Sequence, residues 1–61
     1  MAAGKFEVYT DSAGKYRFRL KATNGQIIAV SQGYASKKSV LDGIESVRKH
    51  APDAEVVTLE E

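Results

Sequence analysis

The sequence predicts a two-layer α+β domain in the order β-β-β-α-β. Three observations carry that reading: runs in which apolar and polar residues alternate, two glycine-bearing turn signals that join them, and one amphipathic segment between a capping serine and the single proline. Lys5 to Thr10 sets Phe6 and Val8 against Lys5, Glu7 and Tyr9, and Tyr16 to Ala22 sets Tyr16, Phe18, Leu20 and Ala22 against Arg17, Arg19 and Lys21. A period of two marks half-buried strands. Between them, Asp11-Ser12-Ala13-Gly14 suits a type I turn closed by a left-handed glycine, with Ser12 to Gly14 as the loop. That turn opposes Val8 to Phe18 and Phe6 to Leu20, so both apolar sets share one face. A four-residue loop would instead oppose Val8 to Arg17, and a one-residue slip turns every side chain over.

Asn24-Gly25 is a strong two-residue hairpin signal, predicting a type I′ turn with positive φ at both residues. It pairs Thr23 with Gln26, Ala22 with Ile27, Leu20 with Ala29 and Phe18 with Ser31, extending the inner face into a third strand, Gln26 to Ser31. Gln32 to Ala35 then leave the sheet. Ser36 is placed to cap a helix from about Lys37 to His50, whose residues Val40, Ile44, Val47 and Ala51 form one apolar stripe widened by Leu41. Arg48, Lys49 and His50 complement the negative end of the helix dipole, and Pro52 stops the helix. Gly43, in mid-helix, costs about 1 kcal/mol relative to alanine, which implies close approach to the sheet or to another chain. Glu55 to Leu59 is a short β-prone run, read as a fourth strand.

At 61 residues there is room for one domain, residues 4–59, and chains this short bury only about 60% of their unfolded surface. Small cores of this kind are usually supplemented by disulfides, a structural metal or a partner. With no Cys and one His, the sequence leaves the partner. No metal or cofactor is expected, because a structural zinc site takes four ligands, typically Cys and His. No apolar run approaches a membrane span, the amino terminus shows no targeting pattern, and a cytoplasmic location is expected. Nine Lys and Arg against eight Asp and Glu leave a net charge of +1, so any charge-based binding must be local.

The segments Gly4-Lys5-Phe6-Glu7-Val8-Tyr9, Tyr16-Arg17-Phe18-Arg19-Leu20-Lys21-Ala22, Asn24-Gly25 with Ile27-Ile28, Gly33-Tyr34 with Ser36-Lys37, and Gly43-Ile44-Glu45-Ser46-Val47-Arg48 together resemble the YegP-like family. The resemblance runs from Gly4 to about Val57. It implies a bacterial family of unknown function, some of whose members carry the unit twice in tandem. A single-copy member is then expected to recreate the pair as a homodimer, as the thin core suggests independently. By that analogy Glu55 to Leu59 pairs with a partner chain instead of its own sheet.

Two surfaces are candidates for binding. On the outer sheet face, Tyr9, Arg17, Arg19, Ile28 and Val30 fit a partner interface, set against a plain solvated face with cross-strand pairs such as Glu7 with Arg19. The same face, with Lys21, could hold single-stranded nucleic acid, Tyr9 stacking on a base. At the helix start, Ser36, Lys37, Lys38 and Ser39 offer an anion free N–H groups and two cations, set against an ordinary cap with solvated lysines. Catalysis finds no nucleophile elbow, and His50 is explained by the helix dipole. The leading reading is a non-enzymatic, homodimeric structural or protein-interaction module; the alternative is a weak binder of nucleic acid or another polyanion.

Overall fold

Asp11 builds the first hairpin. Its Oδ1 accepts from the backbone N–H of Ala13 and of Lys15, each at 2.9 Å. Gly14 donates to the Asp11 carbonyl at 3.0 Å, and Asp11 donates to Lys15 at 2.9 Å. Gly14 sits at φ +81°, a conformation that costs glycine little because it has no Cβ. The computed structural model describes residues 3–60, and in it this loop joins β1 (Lys5–Thr10) to β2 (Tyr16–Lys21). The register is the predicted one, with Phe6 opposite Leu20, Val8 opposite Phe18 and Tyr9 opposite Arg17.

The second hairpin repeats the first, which corrects the predicted type I′ turn. Gly25 donates to the Ala22 carbonyl at 2.9 Å and Ala22 to the Gln26 carbonyl at 2.8 Å, so the loop is the three residues Thr23 to Gly25. Only Gly25, at φ +87°, takes the left-handed region there; Asn24 does not. Asn24 instead accepts from the Gln26 N–H through Oδ1 at 3.0 Å. One positive-φ glycine closes this loop, and asparagine avoids the steric cost it would meet there.

The longer loop moves the ladder by one residue and a bulge moves it back. Ile27 lies opposite Lys21, not Ala22, which transfers it to the outer face; the irregularity between Leu20 and Lys21 absorbs Ile28. Beyond it Leu20 faces Ala29, and Ser31 donates to the Phe18 carbonyl at 2.9 Å, as predicted. Strand β3 (Ile27–Val30) completes a sheet of order β1-β2-β3. Tyr34, expected to have left the sheet, returns to bridge Tyr16 with a reciprocal pair of backbone hydrogen bonds at 2.8 and 2.7 Å.

Helix α1 (Lys37–His50) begins where predicted. The Ser36 hydroxyl accepts from the Ser39 N–H at 3.1 Å. Val40 and Ile44 bury themselves against Phe18, with Phe6, Tyr16, Tyr34 and Val47 packed around the cluster. The apolar stripe is narrower than predicted: α1 meets the sheet chiefly at β2, Leu41 is exposed, and Ala51 lies beyond the helix end and is exposed too. Pro52 enters a 3-10 turn (Ala51–Asp53), and Ala54, which follows it, is extended, with φ −70° and ψ 135°. The fourth strand expected at Glu55 to Leu59 does not form in the single chain, since this stretch has no neighbouring strand to pair with.

Gly43 is explained by Tyr34. A Cβ at Gly43 would stand 2.5 Å from Tyr34 Oη and 2.9 Å from Cζ. The ring cannot easily yield, being tied by its own backbone bridge and stacked on Phe18 at 6.4 Å. The close approach is therefore to one aromatic side chain, where sheet backbone or another chain was expected. Gly43→Ala is expected to lower stability by about 1–3 kcal/mol through overpacking, despite the better helix propensity of alanine. Adding Tyr34→Phe should restore part of the loss in a double-mutant cycle read by thermal unfolding; a stabilised Gly43→Ala would contradict the contact.

Candidate interaction surface

The alternation of β1 and β2 places Glu7, Tyr9, Arg17, Arg19 and Lys21 on the face away from α1. Arg19 Nε donates to Glu7 Oε1 at 2.7 Å, and its guanidinium lies 5.2 Å from the centre of the Tyr9 ring. Lys5 and Lys21 approach the same carboxylate at 3.7 and 3.8 Å. Arg17 Nε donates to Asp11 Oδ2 at 2.6 Å, and its Nη1 donates to the Ser31 carbonyl at 2.8 Å. The guanidinium groups are thus anchored within their own sheet. Glu7 is held below the usual carboxylate range first by the Arg19 hydrogen bond, and Asp11 likewise by Arg17.

Three of the predicted interface residues, Tyr9, Arg17 and Arg19, therefore share this face, Arg19 bonded to Glu7 beside Tyr9 and Arg17 bonded separately to Asp11 and Ser31. Ile28 and Val30 lie beside it on edge strand β3, all four residues of which are exposed. Lys5 and Ile27 belong to the same surface and were missed. The signal for Lys5 is the register, which sets it opposite Lys21; Ile27 is displaced there by the bulge.

The helix start lies in the other layer. The Ser36 hydroxyl is engaged by the Ser39 N–H and shares a 2.9 Å hydrogen bond with the Ser39 hydroxyl. Lys38 pairs with Asp42 at 3.1 Å. These contacts serve the helix. His50 Nδ1 stands 2.8 Å from the Ser46 carbonyl oxygen, placed to donate to it within the last turns of α1. Among the described residues no cavity forms, no cluster of His, Cys, Asp and Glu gathers, and no helix is long and apolar enough to cross a membrane.

Several large apolar side chains are left uncovered. Val56 is 94% exposed, Leu59 86%, Val57 63% and Ile28 60%, with Ile27 and Val30 close behind. The exposed area is 5104 Å² for a mass of 6.6 kDa. A compact monomer of that mass exposes about 3,900 Å². The Cα radius of gyration is 13.1 Å, against about 10.5 Å for a compact chain of this length. The surplus of about 1,200 Å² exceeds the roughly 800 Å² that each partner buries in a standard interface.

Comparison with known proteins places this geometry among relatives. A family profile described as a domain of unknown function, DUF1508, matches residues 11–57. A UPF0339 protein of Methanosarcina acetivorans is 62% identical over 56 residues, covering 92% of this chain and 97% of that one. A UPF0339 protein of Stutzerimonas stutzeri is 59% identical over 51 residues, 84% of this chain but 46% of the relative, which is thus about twice as long. The solution structure of a protein from Haloferax volcanii is 50% identical with a TM-score of 0.88, covering 97% of this chain and 100% of that one. Relatives from archaea as well as bacteria extend the family beyond the bacteria expected from the sequence.

The carboxylate shifts give a pH dependence of known sign. Because the folded values of Glu7 and Asp11 are depressed, their contribution is complete above the ordinary carboxylate range and is lost as pH falls through those values. The unfolding midpoint is expected to decline below about pH 4.5, and Glu7→Gln should flatten that decline. An unchanged acid limb in this variant would show that the carboxylate contributes nothing to it.

Proposed function

We propose that this chain, which belongs to the DUF1508 family of UPF0339 proteins of unknown function, is a non-catalytic, cytoplasmic, self-associating interaction module. Two copies exchange their carboxyl-terminal segments. The supporting observation is that large apolar side chains stand exposed in two stretches that lack a neighbour: Ile27, Ile28 and Val30 on the outer edge of β3, and Val56, Val57 and Leu59 after the 3-10 turn.

An unpaired strand edge bearing exposed Ile and Val attracts another strand, and an extended segment of alternating character can supply it. In Glu55 to Leu59, Val57 and Leu59 fall on one side of a strand and Val56 on the other. Placed beside β3, both sides meet apolar neighbours, Ala29 on the inner face and Ile27 or Val30 on the outer. A two-fold arrangement buries Val56, Val57 and Leu59 from both chains, a gross gain of roughly 9–18 kcal/mol. Association costs about 4–15 kcal/mol.

The reading is tested by sedimentation across a dilution series. The chain should pass from dimer to monomer. Val57→Asp in the segment and Ile28→Asp on the edge should each raise the dissociation midpoint by at least about tenfold. A chain that stays monomeric at every concentration, or variants that dimerise as tightly as the parent, would refute it.

A further inference from the structure

The near neutrality of the chain conceals a segregation of charge. Residues 51–61 hold four carboxylates, Asp53, Glu55, Glu60 and Glu61, and no Lys or Arg. The first 50 residues therefore carry nine cations against four acids, a net +5 set against −4 in the tail.

Part of that positive charge is gathered on the outer sheet face. Lys5 and Lys21 stand directly opposite each other across β1 and β2, an arrangement that strand pairs disfavour. Both lean on Glu7, which Arg19 already holds at 2.7 Å. One carboxylate among three cations leaves this cluster a net charge of about +2, with Lys5 its most exposed member. Arg17, Arg19 and Lys21 alternate along β2, roughly 7 Å apart. The two guanidinium groups are held in place by Asp11, Ser31 and Glu7, so less side-chain freedom is lost when they meet a ligand. Arg19 and the Tyr9 ring form a cation–aromatic pair beside exposed Ile27 and Val30.

A row of fixed cations flanked by an aromatic ring and an apolar strip matches the needs of a single strand of nucleic acid, whose phosphates want charge and whose unpaired bases want flat or apolar contact. We propose that this face binds single-stranded nucleic acid and that the acidic tail of the chain competes for it. The competition is electrostatic, so it does not depend on strand exchange.

The full-length chain is titrated into a labelled oligothymidylate and read by fluorescence anisotropy at several salt concentrations. Engaging about three phosphates predicts a slope of log affinity on log salt near −2. Lys5→Gln with Lys21→Gln removes two cations that oppose each other, so folding should be preserved while affinity falls and the slope shrinks by about 1.4. Neutralising the tail with Glu55→Gln, Glu60→Gln and Glu61→Gln should raise affinity by about tenfold, a change worth 1.4 kcal/mol. The proposal is overturned if neither parent nor tail variant binds, if the double lysine variant binds as tightly as the parent, or if duplex of the same length binds as well as the single strand. Sedimentation of the same samples separates the two readings: a tail variant that changes oligomeric state without gaining affinity refutes the competition and leaves self-association standing.

Discussion

The ring of Phe18 meets Phe6 edge-on at 5.7 Å and stacks against Tyr34, while Val40 and Ile44 close over it from α1. Every larger feature of the chain follows from enclosing that ring. The hairpin registers are constrained by it, since a one-residue slip in β1 or β3 would carry Val8 or Ala29 away from its face. The loop after β3 is constrained by it, since Tyr34 must return to the edge of β2 to stack there. The helix is constrained too, because Gly43 has to leave room for the Tyr34 hydroxyl. Yet Phe18, Val40 and Ile44 are the only hydrophobic residues counted as buried among the described ones. A plug this small leaves its apolar neighbours Phe6, Tyr16, Leu20 and Val47 only half-buried and the strand β3 exposed.

The parts of this arrangement that depend on local pattern were legible in the sequence. Alternation placed β1 and β2, Asp11 and Gly14 set the first register residue for residue, and Ser36 marked the helix start. The second turn shows how a wrong local inference can still reach the right core. Asn24-Gly25 carries the same signal for two different loops, and only the position of the Ala22 and Gln26 hydrogen bonds tells them apart. The structure uses the three-residue loop and then absorbs Ile28 in a bulge, so Leu20 still faces Ala29. Two displacements cancel inside the sheet, and their residue is visible only at the edge, where Ile27 changes face.

Contacts between elements distant in the chain were not legible. Gly43 announced a tight contact but could not name Tyr34, because the partner is set by where the loop after β3 returns to the sheet. The candidate surface shows the same division. Tyr9, Arg17 and Arg19 follow from strand alternation, whereas the sharing of Glu7 among Lys5, Arg19 and Lys21 appears only when the two strands are laid side by side. The tail was misplaced for a different reason. Its β-propensity is real, but propensity alone does not supply a neighbour, and a strand with no ladder is only an extended chain.

Edge and tail therefore raise one physical question: why a chain this short keeps so much β-branched surface in water. An exposed apolar edge is ordinarily blunted by charge, and here the cations stand on the outer face of β1 and β2 while β3 has none. The acids that could balance those cations are concentrated beyond residue 50, in the segment that also carries Val56, Val57 and Leu59. Hydrophobic pattern and charge thus divide the molecule along the same line, into a basic body with an open edge and an acidic strand without a sheet. Two independent properties that split at the same boundary are better explained by a surface made to be covered than by a loose terminus, because a solvated tail would gain nothing from three large apolar side chains. Under either proposal the occupant of the body would have to satisfy both properties at once, which favours an acidic strand or a polyanion carrying flat apolar groups over an uncharged partner.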